Sequence, residues 1–109
     1  MAIDARNIVT TLEAISYELD MPVCYSHFKS EVIPPFLVYI GAGQNQGRAD
    51  NSVYWKKNAY QVEYYFREKN EAIEDTIEQA FISDGWLFTK SDDSFIEGMG
   101  VFVIFYDIN

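Results

Sequence analysis

The sequence predicts an α+β domain: a mostly antiparallel sheet of four to five strands with two helices on one face. The expected order is α-β-β-β-α-β-β, with a long projecting β-hairpin arm. Three observations predict this. Apolar residues recur at helical spacing in two separate segments, and they alternate or run continuously in the segments between and after them. A polar stretch rich in small residues divides the two most apolar early strand segments. At 109 residues, 49% apolar and 17% aromatic, the chain forms one domain over 1–109 with enough apolar surface to offset the entropy of ordering it.

The first helix is expected over residues 5–19. Ile8, Leu12, Ile15 and Leu19 make one stripe, and Arg6, Thr10, Glu13 and Tyr17 take the opposite face. Asp4 is placed to cap it and Pro22 closes it. Residues 22–25 read as a short strand or an extended lead-in. Residues 26–35, which hold His27, Lys29, Glu31 and Pro34-Pro35, read as a loop. The apolar run 36–40 between Pro35 and Gly41 reads as a buried strand.

Residues 41–52 (GAGQNQGRADNS) cannot bury themselves and are expected to protrude as a surface loop. In the strand that follows, Tyr60, Val62, Tyr64 and Phe66 share one face and Gln61, Glu63, Tyr65 and Arg67 the other. Carried backwards, that phase puts Lys56 on the core face. The first half of the segment 53–67 is therefore expected to run beyond the sheet, or to be broken by a bulge near Lys57-Asn58. The second helix is expected over 71–82, capped by Asn70 and ended by Asp84-Gly85, with Ile73, Ile77, Ala80 and Phe81 inward. Residues 86–88 and 101–106 read as the last strands, joined through Ser91-Asp92-Asp93-Ser94. The final strand is apolar on both faces, so it is central or covered on its second side.

The net charge of −9 argues against specific nucleic-acid binding, which uses Lys and Arg to displace counterions, but not against a channel that DNA passes through. The start, Met1-Ala2-Ile3-Asp4, has no signal-peptide pattern, and no apolar run approaches the ~18 residues of a membrane span. A cytoplasmic place of synthesis and no membrane partner are expected. One cysteine, Cys24, excludes an intramolecular disulfide.

No catalytic set and no metal or cofactor site emerges. Cys24 and His27 supply two ligand types without a third, and a structural role is the better reading. Glu71, Glu74, Asp75 and Glu78 crowd one helix, where a solvated acidic face is expected. Like charges at i, i+4 there cost a few tenths of a kcal/mol each. Gly41-x-Gly43 and Gly98-x-Gly100 lack the lysine and third glycine of a phosphate loop. What remains is surface chemistry. Arg48, Tyr54, Trp55, Lys56, Lys57 and Tyr65 combine the residue types enriched at interfaces, against the plainer reading that Trp55 caps the sheet.

The segment Met21-Pro22-Val23-Cys24-Tyr25-Ser26-His27-Phe28-Lys29, with Pro34-Pro35-Phe36-Leu37-Val38-Tyr39, resembles small proteins of the head-to-tail morphogenesis region of long-tailed phages and prophages of Gram-positive bacteria. Ala49-Asp50-Asn51 and Val53-Tyr54 continue the likeness, which spans residues 21–106. The resemblance implies a tail terminator: a ring, hexameric by expectation, that ends tail-tube growth and joins the head. Its partners would be further copies of itself, the tail tube protein and the head-tail connector protein. Its place would be the virion's head-tail junction, after assembly in the host cytoplasm. On that reading the arm residues meet a neighbouring subunit or the tube, and Glu71, Asp75 and Glu78 face the DNA channel. A head-completion or stopper protein, and a small acidic phage protein acting on a host protein, are the alternatives.

Overall fold

The computed structural model describes residues 4–109. Met1 to Ile3, part of the segment without a signal-peptide pattern, lie outside the described residues. The fold is α+β, with helices α1 (Ile8–Leu19) and α2 (Glu71–Ser83). The strands are β1 (Val23–Tyr25), β2 (Phe36–Ala49), β3 (Ser52–Phe66), β4 (Phe88–Lys90), β5 (Ser94–Ile96) and β6 (Val101–Ile108). The sheet runs β1-β2-β3-β6-β4, with β5 also on β6, and is antiparallel except for β1 against β2. β5 is one short strand beyond the expected order.

The stripe of α1 is buried as its spacing requires, with Ile8, Leu12 and Ile15 at 5% exposure or less. Its cap differs from expectation. Asn7 Oδ1 accepts from Val9 and Thr10 N–H, so the helix begins later than residue 5. Arg6 therefore lies before the helix, not on its outer face. Asp20, in the left-handed region at φ 51°, stops α1 two residues short of Pro22. α2 is capped by Asn70, as expected, and buries Ile77 and Phe81 against the sheet.

Period-two alternation carries Leu37, Val62, Tyr64, Phe66, Ile104, Tyr106 and Ile108 onto the helix side, where they join the two helices and Trp86 in one core. Removing a side chain such as Leu12 by an alanine substitution would cost about 2–5 kcal/mol. β6 is both central and covered: Val101 and Val103 are buried on the second face, where Phe36 and Val38 are buried too. Phe36 stacks on Tyr65 at 4.8 Å, and Phe28 meets it edge-on at 5.2 Å. Residue 86 is not strand, but Leu87 exchanges both backbone hydrogen bonds with Asn109, so the ladder begins just ahead of β4.

Residues 41–49 are not a loop. They extend β2 far past the sheet body, paired with the first half of β3. Side-chain polarity misled here, because the ladder satisfies the backbone whether or not the side chains are buried. The result is a two-stranded arm that makes the molecule 51 × 27 × 26 Å. The radius of gyration is 15.3 Å, against about 13 Å for a compact chain of this length.

Candidate interaction site

The arm is closed by Asp50 and Asn51, both left-handed at φ 51° and 61°, between the paired Ala49 and Ser52. Two consecutive left-handed residues make the turn whose twist suits a two-residue hairpin, and Asp and Asn adopt that region most readily after Gly. At the other end Gly41 pairs with Tyr60 and Gln44 with Asn58, which leaves one extra residue on β2. Gly43 takes φ 91° in that bulge. The break thus lies opposite Ala59, on the partner strand of the one expected to carry it. A second shift, between Gly47 and Arg48, leaves Tyr54 as the extra residue on β3.

Trp55 faces Gly47 across the ladder, and its indole covers that glycine so closely that a Cβ there would lie 2.0 Å from Nε1. A large ring over a glycine compensates for the missing side chain in an exposed hairpin. Trp55 remains 43% exposed and Tyr54 54%. The Lys57 ammonium stands 6.0 Å from the Trp55 ring centroid. Arg48 Nε donates to Gln46 Oε1, and Gln46 in turn donates to Gln44 Oε1. Arg48, Tyr54, Trp55, Lys56 and Lys57 are therefore brought together on the arm. Tyr65 is not among them. It sits half-buried on the second face of the sheet body, its hydroxyl donating to Glu63 Oε1 at 2.5 Å. Burial and that bond push its ionisation above the ordinary tyrosine range.

A clasp that sequence reasoning missed holds the base of the arm. Asp4 Oδ2 accepts the Asn58 N–H at 2.9 Å and pairs with Arg6 at 2.8 Å. The Arg6 hydrogen bond and charge hold the Asp4 carboxyl well below the usual range. Arg6 itself lies over Trp86, 3.8 Å from the ring centroid. Trp86 Nε1 donates to Thr11 Oγ1, whose hydroxyl donates to Asp84 Oδ2 at 2.5 Å. No local signal announces these links, since the partners lie up to 80 residues apart.

The acidic helix is only partly the solvated face expected. Glu71 and Asp75 are exposed. Glu74 is 1% exposed, with Lys69 at 2.8 Å from one oxygen and Lys90 at 2.8 Å from the other. Burial pushes its carboxyl up, but the two ammoniums outweigh that and leave it below the ordinary range. Glu78 is turned to Lys90 at 3.0 Å and accepts the Tyr106 hydroxyl at 2.9 Å. Lys90 thus offsets the like-charge repulsion of Glu74 and Glu78, and the acidic surface proper is reduced to Glu71 and Asp75. The i, i+4 spacing of Glu74 and Glu78 aims both at Lys90 on β4, and Glu78 also at Tyr106 on β6.

Cys24 and His27 open onto different hollows. Cys24 lines a shallow one with Leu12 and Val23, and burial pushes its thiol up. His27 lines a larger groove of about 530 Å³ between residues 26–35 and the second face of the sheet. Among the described residues no group of three His, Cys, Asp or Glu is placed to hold a metal ion. No described helix is long and apolar enough to cross a membrane. In comparison with known proteins, no family model matches the chain and no significant match to a curated protein was found.

Proposed function

We propose that the protein is a structural subunit of a long-tailed phage or prophage particle, a tail terminator that caps the tail tube as a ring and joins it to the head. The observation that carries this reading is the arm. A two-stranded hairpin beyond the sheet is marginal by itself in water. This one presents two aromatics and three cations that have no core to enter. Such residues supply most of the energy where protein surfaces meet. The arm gives each subunit a means to reach the next, and the acids Glu71 and Asp75 are free to face a channel that DNA crosses without being held.

The test is electron microscopy of particles from a phage in which this gene is deleted. DNA-filled heads beside separate, abnormally long tails are the expected result. Normal free tails beside emptied heads would move the assignment to a stopper, and intact virions would overturn the structural role.

A further inference from the structure

The arm's tip and the groove beside residues 26–35 lie at opposite ends of the same strands. β2 starts at Phe36, on the groove's floor, and its 14 residues end at Ala49 beside the turn. At a rise of about 3.4 Å per residue that separation is about 44 Å, most of the molecule's 51 Å length. An arm held in this ladder does not reach its own groove.

Charge is segregated along the same axis. Residues 44–58 carry three of the eight cations (Arg48, Lys56, Lys57) and one of the seventeen acids (Asp50), a net +2. The rest of the chain accounts for −11 of the −9 total. The groove is lined by the apolar side chains of Phe28, Val32, Ile33, Phe36, Val38 and Met99. Ile33 and Met99 are 78% and 56% exposed on its two rims. Its volume of about 530 Å³ falls in the range that encloses a drug-sized ligand. Its lining holds one acid, Glu31, and one base, Arg67. The local charge balance is therefore slight.

We infer that the arm of one copy docks in this groove of a second copy, head to tail, with Tyr54 and Trp55 on the apolar floor. The opposed net charges of arm and body steer the encounter, and the aromatic burial holds it. Trp55 comes prearranged by its seat on Gly47, which lowers the entropy lost on docking. Because each copy donates at one end and receives at the other, the contact is heterologous and repeats, closing a ring where the rotation allows. The inference rests on the ring reading above and names the surface that receives the arm.

Disulfide trapping tests it in a Cys24→Ser background. The full-length double variant Ser52→Cys/Ile33→Cys, with one thiol beside the arm's turn and one on the groove's rim, should oxidise to a ladder of species above the dimer on a non-reducing gel. Adding Trp55→Ala, Arg48→Glu, Lys56→Glu and Lys57→Glu should cut that ladder by about tenfold, as expected for loss of an aromatic anchor and its steering field. The control pair is Ser52→Cys/Tyr17→Cys, since Tyr17 is 92% exposed on α1 away from the groove. An equal ladder from the control pair, or none from the groove pair, overturns the docking. Rings on tails whose subunits fail to cross-link at the groove would overturn this inference and leave the terminator reading standing. A groove-specific ladder, together with intact virions after gene deletion, would support the docking and overturn the tail role.

Discussion

Replacing Glu74 by glutamine removes one charge from a site that places a buried carboxylate between two lysines. Breaking a fully buried pair costs about 3–5 kcal/mol, because a charge is left without a partner in low dielectric. Here Lys69 and Lys90, whose side chains are 42% and 33% exposed, keep Asp93 and Glu78 as partners. Water screens them, and the glutamine oxygen still accepts one hydrogen bond. The expected loss is therefore about 2 kcal/mol. For 109 residues the unfolding entropy is about 230 cal/mol/K. That converts the loss to a fall of about 9 °C in Tm at pH 7, read by circular dichroism. The pH dependence gives an independent check. The folded carboxyl is depressed below its unfolded value, so its contribution is present above the unfolded pKa of about 4.3 and is lost as pH falls through the folded value. The gap between wild type and variant should hold from pH 8 to pH 5 and close at lower pH. A Tm change under about 2 °C at pH 7, or a gap that widens towards acid, would refute the reasoning.

Thr11→Val leaves the Trp86 indole N–H and Asp84 without their shared hydroxyl and should lower stability by about 1–3 kcal/mol, measurable by urea denaturation. Gly47→Val should expel the Trp55 indole, giving a red-shifted fluorescence component while Tm stays within about 2 °C, because the arm adds little to the core; an unshifted spectrum would count against the packing described. Asp4→Asn should weaken the clasp at the arm's base, and hydrogen exchange at the Asn58 amide should quicken by about tenfold with little change in the helices. Burial holds Tyr64 up to about 12 and pushes Tyr106 higher still, helped by its bond to Glu78. Tyrosinate absorbance should therefore remain incomplete at pH 11, short of unfolding; full ionisation by then would contradict the buried placement.

Much of the fold was legible in the sequence because it depends on period alone. The stripe through Ile8, Leu12 and Ile15, the alternation of Tyr60 to Phe66 and the two-faced strand ending the chain each state which side is buried, and each is buried so, Tyr60 only in part. The arm was legible as a projection, and five of its six proposed contact residues lie on it. Its form was not, because residues 41–49 show no apolar alternation to mark a strand, and the two-residue turn uses Asp50-Asn51 in place of a glycine pair.

What only the tertiary structure decided are pairings between residues distant along the chain. The clasp of Asp4 on Asn58, the burial of Glu74 between Lys69 and Lys90 and the seating of Tyr65 on Phe36 depend on which strands become neighbours. Sequence determines the periodicity of each segment, since side-chain direction follows from local backbone geometry. Whether an acid at a given phase meets water or a lysine is a property of the opposing element, and that is set only when the sheet assembles.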